Sequence, residues 1–439
     1  MGPDDAQVGR SHMKSPIIKK VERTWVSVPL KPRHARHLTR ENWDWTVFEV
    51  LRLRTDSKAL VGYGETMCYY TWGRVPEAQA ERVIGHSPFE FLWDDRLGAG
   101  LQMAIHDLAG KAAGVPCHRL LGQMVRDACP VSWWTNDMST EDWVEEIREA
   151  LSLGYMSAKL KARPWRDYAA QLQALSGIVP SDFRFDSDFN AFLLDAATAV
   201  PYLLELEKIP GVDVFESPIP QQDVAGGRAL RSKITRKVAL HYGSPPIETA
   251  VREDVCDGFV IGGGALALRQ QAELAAQFNK PFFLQLVGTG FTTAHMLHFG
   301  AVLRHATWPA VTCHEIYEDD LIRDRIQVKN GYAPVPEAPG LGIAPDEDAI
   351  ERYRVKDGFA PPAPPNLYRV TWPCGAQVTY PVGKRGTQGL TDILGVWDDF
   401  AAGNQPLFHQ GVKLEIIPDD GSRAWVELNR RAQIAPVRG

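Results

Sequence analysis

From residue 17 to about 65 the chain alternates apolar and polar positions as strands do, in KKVERTWVSVPL, TVFEVLRLRT and LVGYGE. The turn-forming TDSKA between the last two predicts a hairpin. Between the first two lies KPRHARHLTRENWDW, which has no clear period and carries Arg33, His34, Arg36, His37 and Arg40. Its structural reading is a solvated loop; its functional reading is a mobile flap whose positive charge suits an anionic ligand. From about 76 to 122 the pattern turns helical. LGAGLQMAIHDLAGKAAG repeats apolar residues at helical spacing, predicting a helix that stops at Gly114, just before Pro116.

From about 130 to 320 short apolar strands alternate with amphipathic helices. The strand candidates are PVSWW, SAKLK, FRFDSD, VDVFES, KVALHY, GFVIG, FFLQLV and AVTCHE, and the helices between them include TEDWVEEIREALSLG and ALALRQQAELAAQFN. Eight strands alternating with helices predict a closed parallel barrel. In such a barrel, chemistry gathers at the C-terminal ends of the strands. Lys161, Asp186, Glu216 and His241 fall at those ends, 25, 30 and 25 residues apart, about one βα unit each. Lys159 and Lys161 lie two apart on one strand and so share a face. On an exposed edge strand such lysines would merely discourage aggregation; at a barrel rim they place two ammonium groups where each makes the other costlier to keep charged. Beyond about 355, KDGFAPPAPPN reads as a stiff linker. LYRVTW, AQVTYPV, VKLEIIP and RAWVEL then read as strands of a small β-rich extension made for packing or oligomer contacts.

Composition narrows the function classes. At 439 residues there is room for two or three domains, and 44% hydrophobic with 23% charged residues is ordinary for a globular protein. A net charge of -6 without a basic stripe argues against nucleic-acid binding. No apolar run approaches the roughly 20 residues of a membrane span, and MGPDDAQVGRSHMKSP lacks a secretory core. Six scattered cysteines without a C-x-x-C pair suggest reduced thiols in a cytoplasmic protein.

Taken together, these segments resemble the enolase superfamily, in its mandelate racemase and muconate lactonizing enzyme branch. The resemblance is carried by LVGYGE, AIHDLAGKAAGVPCHRLLG, KLK, FDSDFN, FESPIP and VKNGYAPVPEAPGLGI, six segments in that family's order. It implies a modified (β/α)7β TIM-type barrel under an α+β capping domain. The expected divisions are a tail at 1–16, the capping domain at 17–129, the barrel at 130–322, a return segment at 323–355 and the linker with its extension at 356–439. It also implies removal of a proton α to a carboxylate, with Lys161 as base and Lys159 remaining charged and contacting the substrate carboxylate. A divalent cation, Mg2+ or Mn2+ or another metal, would sit on Asp186, Glu216 and a third group. The partners expected are a small anionic carboxylate substrate and further copies of the chain in a homo-oligomer.

The sequence also departs from that pattern. KVALHYGSPP places His241 and Tyr242 where the fifth strand normally carries acids, which tilts the site from magnesium towards softer cations. Asp188, in place of a more usual asparagine, is a possible source of the missing negative charge. DGFVIGGGAL has no second lysine, and Gln285 stands where a histidine base would be. One-base chemistry is therefore favoured: dehydration of a hydroxy acid or acid sugar, with His314 and Glu315 assisting the leaving group. Arg33, His34, Arg36 and His37 would enclose the substrate, and Tyr69, within CYYTW, together with Gln285 would line its pocket. The alternatives are a racemase or cycloisomerase, and a metal-free homologue that binds without catalysis.

Overall fold

The fold is described for residues 15–37, 41–70, 73–381 and 396–439 in a computed structural model; Arg40, Thr71 and Trp72 of the sequence reading lie outside these residues. The chain opens with an antiparallel meander of β1 (Ile18–Ser27), β2 (Val47–Thr55) and β3 (Val61–Met67). Across it lies the helix Ala99–Ala113, ended by Gly114 in the left-handed region at φ 67°, where glycine carries no steric penalty. The glycines of LVGYGE set how close this helix comes. A Cβ on Gly64 would lie 2.2 Å from the Gly100 carbonyl oxygen, and one on Gly62 would lie 2.4 Å from that of Ala104.

A short ribbon of β4 (Ala128–Pro130) and, later in the chain, β12 (Tyr332–Pro334) leads into the barrel. Its parallel strands are β5 (Trp133–Thr135), β6 (Ser157–Lys161), β7 (Arg184–Asp188), β8 (Val212–Glu216), β9 (Lys237–His241), β10 (Gly258–Ile261) and β11 (Phe282–Leu284), side by side in chain order. Parallel bridges Val131 to Ala310 and Gln285 to Val311 bring an eighth segment between first and last, closing the sheet. This is the expected modified TIM-type barrel. Side-chain parity divides two cores. Trp133, Leu160, Phe185, Phe215, Leu240 and Phe259 point outward into the helical layer. Trp134, Val214, Ala239, Val260, Phe283 and Val311 point inward and join Phe48, Val50 and Met103 of the cap.

After the barrel the chain returns to β1: Ser27 N donates to Tyr353 O at 2.8 Å and Val355 N to Trp25 O at 2.9 Å. The C-terminal part then forms an antiparallel sheet of β13 (Asn366–Thr371), β14 (Gln377–Pro381), β15 (Lys413–Pro418) and β16 (Val437–Arg438) in the order β15-β13-β14-β16. RAWVEL, expected as a strand, is instead the start of a helix, Arg423–Ala432, capped by the Ser422 side chain, which accepts from Trp425 N at 3.0 Å. Trp425, Leu428 and Ala432 pack beneath it, a helical spacing that outweighs the β-forming character of its first residues.

Candidate active site

Because inward positions recur every second residue, β6 sends Lys159 and Lys161 into the barrel, β7 sends Asp186 and Asp188, β8 Glu216 and β9 His241. Gln285 follows directly after β11. Lys159 is buried; its Nζ donates to Gln285 Oε1 at 2.9 Å and forms ion pairs with Glu216 Oε2 at 2.5 Å and Asp188 Oδ2 at 3.6 Å. Lys161 Nζ donates to Asp188 Oδ2 at 2.5 Å and lies 5.8 Å from the centre of the Trp134 ring. His241 Nε2 is 3.4 Å from Glu216 Oε1, and its backbone N–H is held by Gln221 Oε1 at 2.7 Å. Arg163, at the end of the same segment as the lysines, is buried and donates to Asn190 Oδ1 at 2.9 Å.

The two lysines have opposite electrostatics. Burial pulls the Lys159 ammonium down, but Glu216, Asp188 and Asp186 outweigh it and hold the group above the usual lysine range. Lys161 lies below that range: burial lowers it, and Lys159 and Arg163 reinforce the effect against the attraction of Asp188. Asp188 resists the cost of burial because Lys161, Lys159 and Arg163 keep it ionised. Asp186 is pushed well up, by burial and then by Glu216.

Whether these side chains fit a cation can be judged from their unused oxygens. Asp186 Oδ1 is buried without a hydrogen-bond partner, and neither Glu216 oxygen takes part in a well-directed hydrogen bond. Two buried carboxylates left in this way suit a divalent ion. His241 is the nearest third donor, and an imidazole beside two carboxylates suits manganese, iron or zinc better than magnesium. Among the described residues no group of three or more His, Cys, Asp or Glu is already drawn together as a metal site.

The other sequence candidates lie elsewhere. Arg33 Nε donates to Glu146 Oε2 at 2.6 Å and its Nη2 to Glu149, His34 Nε2 is 2.7 Å from Glu146 Oε1, and both Arg36 and His37 meet Asp142. These side chains are thus matched by carboxylates of the helix Thr140–Ser152, and they are not gathered around the lysines. Tyr69 donates its hydroxyl to Phe359 O at 2.7 Å, in the linker that follows the return segment. His314 and Glu315 also stand apart. Val311 and Cys313 take the inward positions of the closing segment, so Thr312 and His314 face outward; His314 Nδ1 is 2.8 Å from Thr312 Oγ1 and its Nε2 3.5 Å from Tyr155 Oη.

A cavity of about 340 Å3 between cap and barrel reaches His241 and Gln285; the sequence reading placed Gln285 and the CYYTW segment at a pocket but missed most of its other walls. Its wall combines Glu65, Met67 and Tyr70 of the meander, Gln102 and Met103 of the capping helix, and His295 of the helix Gly290–Val302. Nothing local signals a space bounded by elements so distant in sequence.

Comparison with known proteins agrees with this architecture. The enolase C-terminal domain-like family matches residues 142–349. An N-succinylamino acid racemase of Thermus thermophilus is 28% identical over 268 residues, covering 58% of this chain and 70% of its own. An arabinonate dehydratase of Saccharolobus solfataricus is 23% identical over 337 residues, covering 68% and 89%. Among solved structures, a muconate cycloisomerase of Pseudomonas fluorescens aligns with a TM-score of 0.63 at 22% identity, over 78% of this chain and all of its own. About a fifth of the present chain therefore lies outside that likeness.

Proposed function

We propose that this chain is a member of the enolase superfamily, in its mandelate racemase and muconate lactonizing enzyme branch, and that it is a lyase that removes the proton α to a carboxylate and expels water from a hydroxy acid. The observation that carries the reading is the unequal lysine pair: one amine held as ammonium among carboxylates, its neighbour pushed towards the neutral form. Lys161 Nζ takes the α-proton, so the C–H bond breaks, an N–H bond forms, and the electron pair passes into the substrate carboxylate. Lys159, kept cationic by Glu216 and Asp188, faces the negative charge that grows there. The electron pair then returns to form the Cα=Cβ double bond as the Cβ–O bond breaks, and the Lys161 ammonium gives its proton to the departing hydroxyl, which leaves as water. Asp186 and Glu216, with His241, would hold the divalent cation, and when bound it supplies Lewis-acid stabilisation of that charge. With Gln285 in place of an opposing base, the site favours elimination over racemisation, which calls for a proton donor on the other face. We further place this reaction on a small carboxylate in the cytoplasm, in a homo-oligomer. All six cysteines are unpaired thiols, and among the described residues no helix is long and apolar enough to cross a membrane.

The test is α-proton exchange in deuterated water, followed by NMR across a panel of hydroxy acids that carry a hydroxyl on Cβ. Exchange on at least one acid, abolished in Lys161→Ala, supports the proposal. Its rate should rise with pH and level off below the ordinary lysine value of about 10.4, because only the neutral amine accepts the proton. A panel without exchange would leave a binding protein on an enolase-type barrel. Elemental analysis after equilibration with Mn2+ should find about one ion per chain, lost in the Asp186→Asn/Glu216→Gln double variant; retention in that variant would place the ion elsewhere.

A further inference from the structure

We propose that the cavity between cap and barrel receives the apolar body of a substrate that carries a single carboxylate, such as an aryl or branched alkyl hydroxy acid, and that it rejects polyhydroxylated and dicarboxylic acids. This deepens the proposed lyase reading and rests on it. The cavity meets the lysine cluster through Gln285, which binds Lys159, and His241, which lies against Glu216. A carboxylate at the lysines therefore directs the rest of the molecule into this space. At about 340 Å3 it has roughly twice the ~150 Å3 that holds a benzene ring, enough for a ring and a short chain.

The polar groups on its wall are largely engaged within the protein. Glu65 accepts from the backbone and hydroxyl of both Thr289 and Thr292, at 2.6 to 3.0 Å. Gln102 accepts from Ala265 N at 2.9 Å and donates to Asp95 Oδ1 at 3.0 Å. Thr66 donates to Gly73 O at 2.8 Å, and His295 Nε2 lies 2.9 Å from His106 Nδ1. The rest of the wall is built of Met67, Met103, Val260, Leu286, Val287 and Phe299 with small Ala and Gly positions, and Tyr70, Tyr242 and Gln271 are the further polar side chains on it. A polyhydroxylated chain would lose its water here and find few partners in return, which is costly for each hydroxyl.

A second anionic group fares no better. Two helices begin beside the cavity, and a helix N-terminus ordinarily welcomes an anion. Both starts are already taken by the protein's own side chains. Glu65 accepts from Thr292 N at the helix Gly290–Val302, while Asp95 accepts from Leu266 N at 3.0 Å and Ala267 N at 2.9 Å at the helix Ala265–Gln277. No lysine or arginine is among the described residues that line the space.

Calorimetric titration of the full chain, equilibrated with Mn2+, tests this with three binding probes: 3-phenyllactate, which has no hydroxyl on Cβ and so cannot lose water, its para-carboxylated analogue and gluconate. 3-Phenyllactate should bind at least about tenfold more tightly than either of the others, a gap set by the desolvation of the extra polar groups. Met103→Trp, which fills the space, should abolish its binding. Val260→Thr, a near-isosteric change, should weaken it about tenfold and serves as the test if the tryptophan variant does not fold. Gluconate or the dicarboxylate binding as tightly as 3-phenyllactate, or no heat from 3-phenyllactate, would overturn the proposal. Proton exchange is read separately. The expected order of binding without exchange would sink the lyase reading and leave the cavity's preference standing; exchange on gluconate with weak 3-phenyllactate binding would do the reverse.

Discussion

Lys159 and Lys161 share a strand and a face, yet they end in different electrostatic states because their neighbours differ by one step along adjacent strands. Lys159 reaches Glu216 as well as Asp188, whereas the hydrogen-bonded partner of Lys161 is Asp188 alone. Parity decides which residues can join them. It was legible for the lysines, Asp186, Glu216 and His241, each at the end of an apolar run. It was also legible, though overlooked, in AVTCHE: with Val311 and Cys313 inward, His314 falls on the outer face. Glu315 beside it is pushed up to about 8 by burial, so the folded chain keeps a proton that the unfolded chain releases near 4.5. The stability this group contributes is therefore complete below about pH 4.5 and is lost as pH rises towards 8. Relative to Glu315→Gln, the parent chain should lose up to about 1.4 kcal/mol per pH unit across that window. Urea melts at pH 5, 6.5 and 8 read the difference directly; parallel stabilities for the two chains would contradict it.

At the scale of elements, the helix predicted from LGAGLQMAIHDLAGKAAG ends at Gly114 as expected, and the hairpin around TDSKA pairs β2 with β3. The tie between cap and barrel was not legible. Glu65, the last letter of LVGYGE, crosses to cap the helix Gly290–Val302 from more than 200 residues away in sequence, and it is buried with four donors on its carboxylate. Replacing it by glutamine swaps one acceptor oxygen for an amide that points hydrogens at donors. Glu65→Gln should cost about 1–3 kcal/mol, measured by urea unfolding, and should loosen the cavity wall that Thr292 shares. An unchanged midpoint would mean that the cap is not held by this carboxylate. The segment from Arg33 to His37, helical over Pro32–Ala35, follows the same logic: its basic residues were visible in sequence, but its partners Glu146, Glu149 and Asp142 belong to a barrel helix more than 100 residues on.

Across the whole molecule, the C-terminal extension shares the barrel's outer core. Phe408 meets Phe189 at 5.4 Å and Tyr202 at 5.0 Å between ring centres, Phe400 meets Trp165 at 5.6 Å, and Trp397 meets Phe192 at 4.3 Å. Gly411 N also donates to Asp167 Oδ2 at 2.6 Å. Apart from Tyr202, which is in the helix Ala196–Leu206, these contacts lie on the segments that directly follow β6 and β7, the strands that bear the lysines and Asp188. The extension should therefore unfold together with the barrel, in one transition by tryptophan fluorescence and circular dichroism. Phe408→Ala should lower the stability of that unit by about 3–5 kcal/mol. Two separated transitions in the parent chain would show instead that the extension folds independently.

The sequence by itself determined the elements, their alternation, the barrel class and the inward set of Lys159, Lys161, Asp186, Asp188 and Glu216. These follow from periods of two and 3.6 residues, which are properties of the backbone and act locally. Tertiary structure alone decided the partners of each charge and the shape and polarity of the cavity against the cap. Ion pairing, burial and enclosed volume depend on which surfaces meet across hundreds of residues, and no local period records that.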